Sequence, residues 1–203
     1  MGSKNSRKDF YFRKAKLEGY RARSAFKLKE IQKKFKVFRK GDFVLDLGAA
    51  PGSWIQVAEE FVGREGFILG IDLKEIVPFD KENIVTIKGD ITNKEVMEEI
   101  KNILKSRKKR KFNVVLSDAS PNVSGIWDLD VFRAMELARS SLKIAKRFLD
   151  DRGVFVVKLF QGKEYQKFLK ELKASFSIVK LFKPKASRKQ SSEIYAICFK
   201  KKR

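Results

Sequence analysis

The stretch FVLDLGAAPGSW at residues 43–54 decides the fold, because an apolar run leads straight into a turn of glycine and other small residues. The run has the β-branched and aromatic composition of a buried strand. Small residues directly after the first strand of an α/β sheet let a ligand approach the backbone. Gly48 and Gly52 follow a Gly-x-x-x-Gly spacing, which differs from a dinucleotide fingerprint, and no Lys-Ser/Thr pair follows as in a P-loop. NAD and ATP are therefore both disfavoured.

The rest of the chain alternates apolar runs with segments of helical periodicity. Further strands are predicted over residues 67–71, 84–87, 112–116, 154–157, 178–182 and 194–199, and helices over 22–35, 53–62, 93–106, 129–149 and 164–174. Near-continuous apolar strands between helices are typical of a parallel sheet covered on both faces. The last two runs are too close for a helical crossover and should pair antiparallel. The sequence predicts a Rossmann-like, doubly wound α/β sheet of seven strands, mostly parallel with the last strand antiparallel.

The composition excludes several classes of chemistry. The chain has 203 residues, a net charge of +22, one Cys and no His. The absence of His excludes Ser-His-Asp catalysis, Cys-His catalysis and any His-containing zinc site. A single Cys cannot form an intrachain disulfide. No apolar run is long enough for a membrane span. We expect a cytoplasmic protein with a basic N-terminal arm (1–20) that lacks a core pattern, one catalytic domain (21–203), no bound metal and no obligate protein partner.

The basic residues are concentrated in three segments. Residues 1–40 contain 15 basic and 3 acidic residues, residues 101–111 contain 7 basic and none acidic, and residues 180–203 contain 9 basic and 1 acidic. Residues 41–100 are acidic overall. This segregation, with aromatic residues interleaved at 10–14, favours a nucleic-acid-binding surface over a merely solvated face or an anionic membrane as the partner.

Acidic residues follow two of the predicted strands. Asp72 ends the second strand and Asp90 comes directly after the third. A carboxylate at the first position can accept both hydroxyls of a ribose, and one at the second can reach an adenine amine. Each alone could equally cap a helix. Because both carboxylates and the glycine turn are expected at the same end of neighbouring strands, together they favour an adenosine-bearing ligand.

Three further charged residues are expected at the same edge of the sheet. Asp118 follows the fourth strand, Lys158 lies in the fifth, and Glu193 begins the last. A Lys inside an apolar strand is costly to bury unless it is ion-paired or its amine reaches water. If the last strand runs antiparallel beside the fifth, Glu193 lies at the same end as Lys158. The pattern therefore predicts a cluster of charges there.

Five segments resemble, in the right order, the FtsJ/RrmJ-type S-adenosylmethionine-dependent RNA 2′-O-ribose methyltransferases. They are RARSAFKL (21–28), DLGAAPGSW (46–54), SDASPN (117–122), VKLFQG (157–162) and SRKQSSE (187–193), and the resemblance extends from Tyr11 to Phe199. It implies a class I methyltransferase fold, S-adenosyl-L-methionine as cofactor and RNA as the macromolecular partner.

The resemblance also implies roles for individual residues. The catalytic residues would be Lys27, Asp118, Lys158 and Glu193. The cofactor-binding residues would be Gly48, Gly52, Trp54, Asp72, Asp90 and Asp118. Contacts with the RNA backbone are expected from Arg21, Arg23, Lys185, Arg188 and Lys189. From the residues alone, Trp54 could equally be a core anchor behind the turn, and Lys27 a phosphate contact.

The reaction implied is transfer of a sulfonium methyl group to a ribose 2′-hydroxyl, with a uridine of large-subunit ribosomal RNA as the favoured target. Lys158 is the candidate for accepting the hydroxyl proton or for steering the hydroxyl while charged. Residues 125–130, GIWDLD, also resemble the branch that modifies the tRNA anticodon loop. Two alternatives therefore stay open: a tRNA ribose methyltransferase, and a non-catalytic RNA chaperone that keeps the cofactor fold.

Overall fold

The computed structural model describes residues 6–122, 124–162, 164–188 and 190–202. The helices are α1 (Ser6–Leu17), α2 (Ala25–Phe35), α3 (Ser53–Val62), α4 (Lys94–Ser106), α5 (Trp127–Phe148) and α6 (Tyr165–Ser175). The strands are β1 (Phe43–Leu47), β2 (Phe67–Asp72), β3 (Ile84–Lys88), β4 (Phe112–Ser117), β5 (Leu149–Phe160), β6 (Phe176–Phe182) and β7 (Glu193–Lys201). All predicted strands and helices are present. One helix, α1, was not predicted.

The seven strands form a single sheet in the order β3-β2-β1-β4-β5-β7-β6. Neighbours from β3 to β5 pair parallel, and β7 pairs antiparallel with both β5 and β6. This confirms the predicted fold. Because β7 runs against β5, its first residue, Glu193, pairs with Phe160 at the carboxyl end of β5.

Both faces of the sheet are covered because successive side chains of a strand point to opposite sides. Leu45 and Phe155 pack in the cluster that contains the buried residues of α4, α5 and α6. Val44 and Val156 pack in a second cluster with α2 and α3. Among the described helices, none is long and apolar enough to cross a membrane.

The N-terminal segment differs from the expected arm, because residues 6–17 form a helix that packs on the domain. Ala15 is buried in a small cluster with Phe26, and the ring of Tyr11 lies 5.5 Å from the ring of Phe26. The larger apolar side chains of α1, such as Phe12 and Leu17, are exposed. Since α1 buries one small residue and part of a Tyr, it has no apolar stripe that its sequence could reveal.

The sheet has two functionally distinct edges. We call the ends of β1–β5 where the chain leaves each strand, together with the start of β7, the carboxyl edge. The opposite ends, together with the last residues of β7, form the amino edge. In parallel α/β sheets, ligands bind at the carboxyl edge.

Candidate active site

Two glycines with left-handed backbone shape the turn after β1. Gly48 has a φ of 77° and Gly52 a φ of 104°. A Cβ on Gly48 would lie 2.5 Å from the Cα of Ala119, so only glycine lets this turn meet the segment after β4. A Cβ on Gly52 would lie 2.8 Å from both Arg21 Nη1 and Phe79 Cζ. The turn is therefore clamped between other parts of the chain.

A pocket of about 590 Å³ opens beside this turn at the carboxyl edge. That volume is typical of small-molecule sites. Its lining includes four of the predicted cofactor residues, Gly48, Asp72, Asp90 and Asp118, together with residues 119–122 and the second and third turns of α5. The structure thus brings these four residues together.

Hydrogen bonds to nearby residues orient the two strand-end carboxylates of the pocket. Asp72 accepts from the backbone N–H of Ala50 at 2.9 Å and of Lys74 at 2.8 Å. Asp90 Oδ1 accepts from the backbone N–H and the hydroxyl of Thr92 at 2.8 and 2.7 Å. A carboxylate has about four acceptor positions, so each keeps capacity for a ligand while it shapes its own loop.

Trp54 does not line the pocket. It is 2% exposed, its indole N–H donates to the carbonyl of Ser24 at 2.9 Å, and its ring lies 5.8 Å from that of Tyr195. The Trp54 side chain is therefore a core residue behind the glycine turn, which is the alternative that the sequence left open. A contact with a cofactor stays a prediction for its backbone N–H, which lies in the first turn of α3 where such groups have no intrahelical partner.

The four predicted catalytic residues meet as two ion pairs. Lys158 Nζ lies 3.2 Å from Asp118 Oδ1 and donates to the backbone carbonyl of Asp118 at 2.6 Å. Lys27 Nζ lies 2.6 Å from Glu193 Oε1. That oxygen accepts no well-aligned hydrogen bond from the described residues, so this contact is an ion pair by distance alone. Lys158 and Glu193 are buried, at 8% and 9% exposure.

Tyr195, which the sequence analysis did not single out, connects the two pairs. It is fully buried, its hydroxyl donates to Asp118 Oδ1 at 2.7 Å, and Lys27 Nζ lies 5.7 Å from its ring centroid. One signal was available, since Tyr195 lies two residues after Glu193 and thus on the same face of the strand. An aromatic residue in an apolar final strand is, however, indistinguishable from core.

Opposing influences act on the pKa of Asp118. Burial raises it, but the charges of Lys158 and Lys27 and the hydroxyl of Tyr195 outweigh burial, so the pKa lies below its usual value. The Asp118 carboxylate is therefore ionised at neutral pH and is available as an acceptor.

Asp46 is an orphaned carboxyl group next to this site. It lies on β1, between the strands that lead to Asp72 and Asp118, and it is fully buried. Neither of its oxygens accepts a hydrogen bond from the described residues. Burial, and then the charges of Asp118 and Asp72, raise its pKa well above the usual value. A buried group of this kind requires an explanation, and a cationic ligand in the pocket would supply one.

These features fit S-adenosylmethionine. That molecule has ribose hydroxyls, an adenine amine and an ammonium group, all of which are hydrogen-bond donors. The pocket offers Asp72, Asp90 and Asp118 as acceptors, with the orphaned Asp46 behind them. The glycine turn leaves backbone rather than side chains at the pocket wall.

Arg21 is engaged within the protein. Its guanidinium donates to the carbonyls of Pro51 at 3.1 Å, Val77 at 2.6 Å and Pro78 at 3.0 Å, and lies 3.7 Å from the ring centroid of Phe79. The geometry thus gives Arg21 a structural role in joining the glycine turn to the loop after β2. Its contact with RNA stays a prediction.

Of the other predicted RNA contacts, Arg23, Lys185 and Arg188 lie at the carboxyl edge. Arg23 donates to the carbonyl of Ala186 at 2.9 Å, and its pKa is lowered by burial and by the nearby charge of Arg188. Lys185 and Arg188 are exposed in the loop between β6 and β7. Lys189 lies outside the described residues.

Comparison with known proteins gives the family of the chain. Residues 20–201 match the model of the FtsJ-like methyltransferase family. The chain is 53% identical over 190 residues to "Ribosomal RNA large subunit methyltransferase E" of Methanothrix thermoacetophila, covering 94% of this chain and 71% of that protein. It is 45% identical over 203 residues to the protein of the same name from Methanocaldococcus jannaschii, covering 97% and 82%.

A solved structure is also similar. It is a Plasmodium falciparum protein provisionally named a ribosomal RNA methyltransferase, with a TM-score of 0.77 and 30% identity over 90% of this chain and all of that one. The family resemblance, the enzyme class and the S-adenosylmethionine cofactor predicted from the sequence are thereby confirmed. The chain belongs to the FtsJ-like methyltransferase family.

Proposed function

We propose that the protein transfers a methyl group from S-adenosylmethionine to a ribose 2′-hydroxyl of large-subunit ribosomal RNA. The observation that carries this is the Lys158–Asp118 pair, 3.2 Å apart, at the rim of a cofactor-sized pocket. The names of the curated relatives support the class of RNA. A uridine as target and a cytoplasmic location remain predictions.

The residues of the pocket would hold the cofactor, which supplies a methyl group already activated by its bond to a sulfonium sulfur. Asp72 would accept the ribose hydroxyls and Asp90 the adenine amine. Asp118 and the buried Asp46 would face the cationic end of the molecule. Gly48 supports this assignment, because its missing side chain lets the turn approach residue 119 and close the pocket wall.

Lys158 would position the substrate oxygen. An ammonium group has three donor positions. Two of those on Lys158 are directed at the carbonyl and the carboxylate of Asp118. The third is available to the 2′-oxygen, which aligns an oxygen lone pair with the methyl carbon. The bound cofactor would supply the methyl group as its S–CH₃ bond breaks, and the 2′-oxygen, held by Lys158, would become strongly acidic and lose its proton to water.

The Lys27–Glu193 pair and Tyr195 would keep this arrangement in place. Lys27 neutralises Glu193, and the Tyr195 hydroxyl fixes Oδ1 of Asp118. Buried charges that are paired in this way act as a rigid, pre-organised environment for the reacting groups.

Asp130, which contributes to the resemblance to the tRNA branch, has a local explanation. It accepts hydrogen bonds from the backbone N–H and hydroxyl of Ser124 at 2.8 and 2.6 Å, and these bonds lower its pKa. A residue that holds its own loop in place says little about the substrate. The hydrogen bonds of Asp130 favour neither ribosomal RNA nor tRNA as the substrate. The tRNA alternative therefore rests on the sequence resemblance alone.

The decisive experiment maps the modified nucleotide. The protein would be incubated with methyl-labelled S-adenosylmethionine and, separately, large ribosomal subunits, their naked RNA and total tRNA. We expect label in large-subunit RNA, at a linkage that resists alkaline hydrolysis because its 2′-oxygen is blocked. Label in tRNA alone, in a base, or in no RNA would contradict the proposal, and the last result would favour the chaperone alternative.

A further inference from the structure

A second basic surface lies at the amino edge, opposite the active site. We call it the amino-edge patch, and it consists of Lys101, Lys105, Lys108, Lys109, Arg110 and Lys111. These residues occupy the end of α4 and the connection that leads into β4. The site described above uses none of them.

The patch surrounds a groove of about 430 Å³. Leu104 and Phe148, both buried, form its floor, and the other lining residues are all basic members of the patch. Among the described residues, no acidic side chain lines the groove. A concave surface of one charge sign concentrates the field that attracts an oppositely charged partner.

Much of this charge is not neutralised within the protein. Lys105, Lys108 and Arg110 are exposed and have no ion-pair partner in the described part of the chain. Lys111 is less clear-cut: burial and then the charge of Lys201 lower its pKa, while Asp151 and Asp150 raise it, and Lys201 itself lies 3.4 Å from Asp151. The uncompensated charge of the patch is therefore that of Lys105, Lys108 and Arg110.

Helix dipoles explain only part of the patch. α4 ends at Ser106, and a cation in its last turn, Lys105, is favoured by the negative end of the dipole. Lys108, Lys109 and Arg110 lie beyond that last turn, where this effect fades. A polyanionic partner accounts for the remaining charges.

The patch is far from the reaction. β4 separates the two edges, and its six residues at about 3.3 Å each give a distance of roughly 20 Å. Resting on the function proposed above, we propose that the amino-edge patch binds the phosphate backbone of an RNA segment roughly 20 Å from the target ribose. The substrate is then a folded RNA large enough to contact both edges, and a short oligonucleotide contacts only the carboxyl edge.

RNA is favoured over an acidic protein partner because both edges carry the same charge sign. Lys185 and Arg188 are exposed at the carboxyl edge, and the patch is exposed at the other. One continuous polyanion satisfies both surfaces, whereas an acidic protein would require a second, independent partner.

The test compares two variants that each lose three positive charges. The patch variant is Lys105→Gln, Lys108→Gln and Arg110→Gln. The control is Lys143→Gln, Lys167→Gln and Lys170→Gln, three exposed lysines of α5 and α6. Affinities for naked large-subunit RNA, for intact large subunits, for a short hairpin of that RNA and for S-adenosylmethionine would be measured at several salt concentrations.

We expect the patch variant to bind naked large-subunit RNA about tenfold more weakly than the control at physiological salt, with a salt slope smaller by about 2, since each lost phosphate contact removes about 0.7–0.9. Hairpin and cofactor affinities should equal those of the control.

Equal affinity of both variants for naked RNA would overturn the inference, as would an equal loss on the hairpin. A loss seen only with intact subunits would instead assign the patch to a ribosomal protein. Because affinity is read without methyl transfer, these results are distinct from a failure of the proposed reaction.

Discussion

The two halves of the active site are held together by different means. In the cofactor half, Asp72 and Asp90 are fixed mainly by bonds to backbone groups of their own or adjoining loops, and the Gly48 N–H donates to the carbonyl of Ile71 at 2.8 Å. In the catalytic half, Lys27, Lys158 and Glu193 come from distant elements. Asp118 belongs to both halves, and Tyr195 reaches it across 77 residues. Changes in the first half should therefore alter cofactor binding, and changes in the second should alter the rate.

Gly48→Ala should have the largest effect, because it forces a Cβ to within 2.5 Å of the Ala119 backbone at a φ of 77°. We expect the free energy of unfolding to fall by about 3 kcal/mol or more and cofactor binding to be lost. Urea denaturation and calorimetric titration would measure this. Gly41→Ala is the matched control, since Gly41 has a φ of 80° and nothing within 4 Å of a new Cβ. If both variants behave alike, close packing of the turn is not what requires glycine.

Tyr195→Phe should separate the halves. The hydroxyl holds the Asp118 carboxylate that in turn positions Lys158, so its loss should misalign the substrate oxygen and lower the maximal rate by roughly tenfold or more, with a smaller effect on cofactor affinity. The hydroxyl lowers the pKa of Asp118, so its loss raises that pKa and the acid limb of the rate profile moves to higher pH. Tyr165→Phe serves as control. An unmoved acid limb would contradict this role.

The pH dependence of stability should differ between Asp46 and Asp118. The pKa of Asp46 lies well above 3.8, so its contribution to stability is present at low pH and lost as pH rises through the folded pKa. Asp46→Asn should therefore stabilise the unliganded protein at neutral pH by about 1 kcal/mol or more. The same variant should weaken cofactor binding. Denaturation between pH 4 and 8 would check this, and a lower stability at neutral pH would rule it out.

The pKa of Asp118 is shifted in the other direction, below 3.8. Its ion pair contributes stability above the unfolded pKa, and that stability is lost as pH falls through the folded pKa. Asp118→Asn should therefore remove the loss of folding stability that occurs as the pH falls below about 4.

Arg21→Ala should have the smallest effect. It removes three hydrogen bonds that join the glycine turn to the loop after β2, so cofactor affinity should fall a few-fold. Arg23→Ala should instead weaken RNA binding and leave the cofactor untouched. Filter binding with RNA and calorimetry with the cofactor compare the two. An Arg21→Ala variant that loses only RNA affinity would contradict the role of Arg21 in the turn and support its predicted contact with RNA.

The convergence of Asp72 and Asp90 on one pocket was predictable, because both lie at strand ends and the ends of parallel strands meet at the same edge of the sheet. Lys158 and Glu193 could be placed at one edge once β7 was predicted to run antiparallel. The hydrogen bonds from Arg21 to backbone carbonyls were not predictable, since they depend on the path of the loop after β2. Helix α1 was missed because its burial of Ala15 and part of Tyr11 leaves no periodic signal.

The most direct test of the account compares Lys158→Ala with Asp72→Ala in single-turnover methyl transfer at increasing S-adenosylmethionine concentration. We expect Lys158→Ala to lower the saturated rate by about 10²–10³-fold and to leave the half-saturating concentration unchanged. We expect Asp72→Ala to raise the half-saturating concentration and largely to preserve the saturated rate. Near-normal turnover in Lys158→Ala, or a reversal of the two patterns, would contradict it.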